Sequence, residues 1–196
     1  MTVQLLTQPK AIAPQSIPPK KWVTGEELFK MGDIGRTELI KGEIIYLMPT
    51  GLLHGIIEFA IAAILRNFVQ LHQLGYVFGG ETGIYITREP DTVRGVDAAY
   101  ISHERFAQIK STSYLDVAPE LVVEVMSPDD SWTEINDKIE EYFAIGVVLI
   151  WIVNPKRKQV HVYHSLTTLE ILRLNDTLTG DEVLPGFAVP LTELFG

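Results

Sequence analysis

The sequence predicts an α/β (α+β) domain built on a mixed β-sheet flanked by helices. Three observations carry that prediction. Two capping boxes, Thr24-Gly-Glu-Glu27 and Ser131-Trp-Thr-Glu134, mark helix starts. Ile57, Ile61, Ile64, Phe68 and Leu71 recur at helical spacing. Short runs rich in Val, Ile and Tyr, bounded by Gly, Pro and Asn, fill the intervals as strands do.

In chain order, residues 1–20 hold Pro9, Pro14, Pro18 and Pro19 and read as a mobile N-terminal arm. That leaves 21–196 as a single domain. A short helix follows Thr24. Glu38 to Met48 reads as a hairpin turning at Lys41-Gly42. The long helix spans 52–74, with Gly75 as its stop. Strands follow at 76–78, 83–88 and 95–101, then a short helix within 102–110 and a strand at 120–126. Ser127-Pro-Asp-Asp breaks that strand, and the second capped helix runs from 131 to about Ile145. Val147–Val153 is apolar enough for a central strand. Gln159–His164 pairs back on it, and 169–174 adds another. Leu184-Pro-Gly-Phe-Ala-Val-Pro-Leu reads as irregular cover, ending in a helical turn at 192–195.

Composition narrows the chemistry. The 196 residues are 46% hydrophobic and 21% charged, which suits a sizeable core. With no Cys, a disulfide framework, a thiolate zinc site and a thiol nucleophile are excluded. The longest apolar run, Phe143 to Val153, falls short of the roughly 20 residues of a membrane span. The start lacks the pattern of a signal peptide, so a soluble cytoplasmic protein is the expectation. The net charge of −9 weighs against non-specific nucleic-acid binding, which relies on Lys and Arg to neutralise phosphates.

Two acids sit where acids are expensive. Glu124 interrupts Leu121-Val-Val-Glu-Val-Met126, and Asp97 interrupts Val96-Asp-Ala-Ala-Tyr-Ile101. A carboxylate in a buried strand is costly unless a cation meets it. Glu124 points with Val122 and Met126, near the C-terminal end of its strand, where ligand sites in open sheets gather. For Asp97, a contact with Arg94 competes with a metal ion as the partner. Lys138 falls inside the apolar arc of Ile135, Ile139, Tyr142 and Phe143 on its helix, so it points inward or snorkels. His54 shares a helix face with Ile57, Ile61 and Phe68, as a core residue or a site residue. Glu38 and Glu43 flank the first turn, and Glu58 reads as an edge charge. His161 and His164 point to opposite strand faces and form no ligand pair. Lys156-Arg-Lys158 reads as a solvated turn. No phosphate loop, G-x-S-x-G elbow or H-E-x-x-H helix occurs.

The ordered set resembles the PD-(D/E)XK nuclease core, and more closely the Uma-type restriction endonuclease family of bacteria. The residues that carry the resemblance are Glu38-Leu-Ile-Lys-Gly-Glu43, His54, Val96-Asp97, and Pro119-Glu-Leu-Val-Val-Glu-Val-Met-Ser-Pro128. Lys138 with Tyr142, Gly146-Val147, Trp151-Ile-Val-Asn-Pro155 and Leu184-Pro-Gly-Phe187 continue it. Val96 replaces the expected proline. Met126 stands where the superfamily lysine would lie, and Lys138 matches the family's lysine from the next helix. The resemblance implies a restriction-endonuclease-like fold and Mg²⁺- or Mn²⁺-dependent hydrolysis of DNA phosphodiesters. It implies Asp97 and Glu124 as metal ligands, Lys138 and His54 as further catalytic groups, and Glu38 as an outer carboxylate. A homodimer is expected from the apolarity of Val147–Val153, and no membrane partner. The rival readings are an inert interaction or regulatory protein on the same scaffold, and a hydrolase of small phosphoesters.

Overall fold

A computed structural model describes residues 22–128 and 130–196, so the arm read at 1–20 lies outside the described residues. The chain opens with α1 (Gly25–Lys30), β1 (Thr37–Ile40), β2 (Glu43–Tyr46) and α2 (Leu52–Leu71). Two long strands follow, β3 (Gly75–Thr87) and β4 (Thr92–Ser102), then α3 (His103–Phe106) and β5 (Leu121–Val125). After α4 (Trp132–Ile145) come β6 (Leu149–Asn154), β7 (Gln159–Ser165) and β8 (Thr168–Arg173). The chain ends in β9 (Thr177–Gly180), β10 (Leu184–Pro190) and α5 (Leu191–Phe195). Both predicted capping boxes form, at Thr24/Glu27 and Ser131/Glu134.

The main sheet runs β2-β1-β4-β5-β6-β7-β8, with β3 on the remaining edge of β4. Its pairs are antiparallel except β5–β6, which the α4 crossover makes parallel. β6 lies between β5 and β7, so the apolarity of Val147–Val153, apart from exposed Val148, is used inside one chain and no longer argues for a dimer.

Two core layers sandwich the sheet. On one side Ile57, Ile61, Leu65 and Val69 of α2 pack with Val123 and Trp151, and with Leu184, Phe187 and Leu191 from the tail. On the other, Ile135, Ile139 and Tyr142 of α4 pack with Ala99, Val122 and Ile150. Each such side chain, fully buried, contributes roughly 1.5–3 kcal/mol. α2 is long and apolar enough to span a bilayer by composition, yet one stripe of it is core.

Three expectations change. The strands read at 76–78 and 83–88 are one strand, β3, carried through a bulge at Gly79–Thr82. Gly75 opens β3 rather than closing α2, which ends at Leu71. The tail is a hairpin, not irregular cover: β10 pairs with β9, and Leu184, Phe187 and Val189 turn inward. Its prolines hid the strand. They are tolerated because a two-stranded ribbon leaves each strand an unpaired edge.

One topological feature positions the site. β3 follows β4 along its length, so the other edge of β4 is shared. Leu39 of β1 pairs with Val93, and Leu121–Val123 of β5 pair with Tyr100–Ala98. Residues 94–97 lie between those partners, where β1 and β5 part and the sheet forks.

Candidate active and metal site

Asp97 sits in the fork and is buried. Val96 belongs to the α4-side core and Ala98 to the α2-side core, so strand alternation changes phase at Asp97. Opposite it, β3 bulges, with Gly80 and Glu81 both at positive φ. The packing is close enough to require glycine at Gly79, while at Gly95 a side chain would displace only the Glu81 carboxylate. A Cβ on Gly79 would lie 2.2 Å from the Asp97 carbonyl oxygen, and one on Gly95 would lie 2.6 Å from Glu81 Oε2. Beyond the last paired residues of β5, the Val125 N–H donates to Asp97 Oδ2 at 2.6 Å. A carboxylate there takes the place of a strand carbonyl.

The first two turns of α2 lie over the fork and bring in two more groups. His54 Nε2 is 3.3 Å from Asp97 Oδ2, and His54 Nδ1 is 3.6 Å from Glu58 Oε2. One ligating atom from each of His54, Glu58 and Asp97 lies within 4.8 Å of the other two. Glu81, from the bulge, is bound by the Arg36 guanidinium, which also donates to the Met48 carbonyl.

The α4 side of the fork is a dense network in which, among the described residues, Glu38 Oε1 is the buried atom left without a hydrogen-bond partner. Glu124 Oε2 accepts from Lys138 Nζ at 2.9 Å, and Oε1 from the Tyr142 hydroxyl at 2.7 Å. Lys138 Nζ is also 3.4 Å from Glu38 Oε1. Arg94 donates to Glu38 Oε2 at 2.8 Å and grips Glu141 through Nε and Nη2 at 2.6 and 3.1 Å.

The charges follow from these contacts. Burial pushes the Glu124 carboxyl up to about 7, with Lys138 pulling the other way and Asp97 adding to the rise. Burial alone would lower the Lys138 amine, but Glu124 and Glu38 outweigh it and hold the ammonium well above its ordinary value. Burial works against charge on Asp97 as well. The hydrogen bonds from His54 and Val125 prevail, and its carboxyl lies below the usual range. His54 is held above its ordinary value, since the bond and charge of Asp97 overcome burial. Glu58 and Glu81 are raised, chiefly by burial. The fork therefore gathers six carboxylates (Glu38, Glu58, Glu81, Asp97, Glu124, Glu141) against Arg36, Arg94, Lys138 and His54.

The expected residues meet at this fork. Lys138 points inward and holds Glu124. Asp97 and Glu124 lie on neighbouring strands, but both oxygens of Glu124 carry protein donors. Arg94 makes no ion pair with Asp97 among the described residues and goes to Glu38 and Glu141 instead. Glu38 is clasped by Arg94 and Lys138, and Glu58, read as an edge charge, faces His54. Sequence reading missed Arg36, Glu81 and Glu141. Arg36 and Glu81 are 45 residues apart and share no periodicity. The one local signal was Gly79-Gly80, which marks the bulge that turns Glu81 inward.

Residues 26–192 match the family described as "Uma2: Putative restriction endonuclease". The chain belongs to this family. No curated protein matches it. A solved structure from Anabaena variabilis ATCC 29413, described as "a putative nuclease belonging to DUF820", is similar with a TM-score of 0.73. The match covers 88% of this chain and 97% of that one at 20% identity, and shows a shared fold. The fold class implied by the sequence, a mixed sheet flanked by helices in the restriction-endonuclease manner, is thus the one observed.

Proposed function

We propose that the chain is a metal-dependent nuclease that hydrolyses phosphodiester bonds of DNA in the cytoplasm, using a single domain over residues 21–196. The observation that carries this reading is the His54–Glu58–Asp97 cluster in the fork, beside the Glu124–Lys138 pair.

The residues fit a divalent ion. The donors are two carboxylates and an imidazole, and His54 Nδ1 is a buried atom with no hydrogen-bond partner. Oxygen-rich sites suit Mg²⁺ or Mn²⁺, and the imidazole leans toward Mn²⁺. Asp97 is common to this set and to the Asp97–Glu124 pair that the family resemblance implies. A bound ion supplies Lewis acidity toward a phosphate oxygen and acidity to a water.

The chain's own groups do the rest. Lys138 stays an ammonium at neutral pH, so it stabilises developing phosphoryl charge and does not deprotonate water. Glu124, near 7, is matched to accept or return a proton at neutrality. Tyr142 fixes the orientation of that carboxyl.

A second reading, an inert scaffold that serves as an interaction or regulatory module, has one observation in its favour: Glu124 already has a protein donor on each oxygen. The test is incubation with plasmid, single-stranded DNA and RNA in Mg²⁺ or Mn²⁺. Cleavage lost in Glu124→Ala and retained in Glu170→Ala, an exposed β8 position, is the result expected of a nuclease. Absence of both cleavage and calorimetric metal binding selects the scaffold. Hydrolysis confined to small phosphoesters selects the third class.

A further inference from the structure

A groove of ≈ 600 Å³ opens beside the fork, lined among others by Glu58, Phe59, Arg66, Asn67, Phe78 and Asp97. Its volume falls within the roughly 300–1,000 Å³ of small-ligand sites. Two of its walls are the carboxylates assigned above to the metal, so whatever fills it abuts the reacting phosphate.

The lining is unusual for an acidic chain. Arg66 is exposed and makes no hydrogen bond or ion pair among the described residues, so its guanidinium is free for an anion. Phe59 is 78% exposed, one turn from Ala62 and Ala63 on the same wall of α2. Phe78 borders the opposite wall, with its side chain packed into the α4-side core. Gly79 and Gly80 complete it with bare backbone, and nothing lies within 4 Å of where a Gly80 Cβ would point. One exposed aromatic ring, one free cation and an unobstructed backbone are what a base and its phosphate need.

We propose that this groove holds an unpaired nucleotide next to the scissile phosphate, and that the preferred substrate is single-stranded or locally unpaired DNA. The assignment rests on the nuclease reading above. Duplex binding draws on many simultaneous phosphate contacts. Single-strand binding combines fewer phosphate contacts with base stacking on aromatic rings, and it is the second kind of equipment that lines this groove. Phe59 stacks the base, Arg66 meets the phosphate, and the Asn67 amide offers both a donor and an acceptor to a base edge.

The test uses the full chain and a fluorescein-labelled DNA strand of about 12 nucleotides, a length within single-strand site sizes, free or annealed to its complement. Anisotropy in Ca²⁺ reads affinity, and Mn²⁺ calorimetry reads the metal site. Single strand bound about tenfold tighter than duplex is expected, with Phe59→Ala and Arg66→Ala each weakening it by about tenfold. Arg66→Ala should also flatten the log–log salt slope by about 0.7. Mn²⁺ binding should be unchanged in both variants. Equal or tighter duplex binding, or variants that bind like the parent, overturns the groove assignment. So does a sedimenting dimer that Phe59→Ala dissociates, because a second copy would then cover the ring. The two readings fail separately. Mn²⁺-dependent cleavage that ignores Phe59 and Arg66 removes the groove and keeps the nuclease. Groove-dependent binding without cleavage does the reverse.

Discussion

The two sides of the fork hold similar residues in opposite states. On the α4 side, Glu38, Glu124 and Glu141 meet Lys138, Arg94 and Tyr142 through hydrogen bonds of 2.6 to 3.1 Å. On the α2 side, His54 stands 3.3 Å from Asp97 and 3.6 Å from Glu58, a looser arrangement, and an open groove adjoins it. Charge-assisted hydrogen bonds normally draw in to about 2.7–2.9 Å. The closed side resembles a structural network, with only Glu38 Oε1 unpartnered in it among the described residues, while the open side keeps tight bonds at Arg36–Glu81 and Val125–Asp97 and loose ones around His54. Each side sets three carboxylates against two cationic groups, so what separates the open side is its adjoining groove and the ligand atoms of His54, Glu58 and Asp97 gathered within 4.8 Å of one another.

The largest expected effect lies on the open side. Asp97→Asn keeps an oxygen to accept the Val125 N–H and removes the charge. Metal-dependent cleavage should fall by on the order of 10³-fold, the several kcal/mol that an ion supplies, while thermal melting changes little. A variant that cleaves normally would place the metal elsewhere.

Next comes a break in the closed side. Lys138→Met leaves Glu124 and Glu38 without their shared cation. Removing one partner of a buried pair costs roughly 3–5 kcal/mol. The lower end is expected, because the Lys138 side chain is 20% exposed, Glu124 can take a proton, and Glu38 keeps Arg94. Urea denaturation measures this. Adding Glu124→Gln should recover part of the loss, and full additivity of the two changes would show that they do not interact.

Glu124 also gives a pH signature. Its carboxyl lies at about 7 in the folded chain against an ordinary 4.5. The folded state therefore binds this proton more tightly than the unfolded state. The resulting stabilisation is fully present below 4.5 and is lost as pH rises to 7. Glu124→Gln removes the titration. Its stability relative to the parent should rise between about pH 5 and 8, by up to roughly 3 kcal/mol. A flat difference would mean that Lys138 and Tyr142 keep the carboxylate ionised throughout.

The smallest effect belongs to metal loading. His54 holds its proton above the ordinary 6.5, and a metal must displace that proton. Mn²⁺ binding should tighten from about pH 6 to pH 8, with proton release that scales with buffer ionisation enthalpy. Glu58→Gln, which removes one ligating carboxylate, should weaken it by at least about tenfold. Affinity independent of pH would remove His54 from the ligand set.

Much of this molecule was readable from the chain itself. Capping boxes and helical spacing placed α1, α2 and α4, because both signals depend on residues within one or two turns of each other. The apolar runs located the central strands for the same reason. Asp97 and Glu124 were visible as acids out of place, and Lys138 as a lysine inside an apolar arc. The prolines of β10 and the glycines of β3 misled, since each residue type is rare in strands yet tolerated at an edge or bulge.

What the chain alone could not decide is who meets whom. Arg94 had Asp97 three positions away and took Glu38 and Glu141 instead, because β4 is shared between β1 and β5 and Arg94 points into the opening. Glu81 became a site carboxylate only through a bulge that aims it at Arg36. Residue types fix which charges are expensive to bury. The tertiary structure chooses their partners, because a charge pairs with the countercharge nearest in space, and across a sheet that distance is set by register and not by sequence.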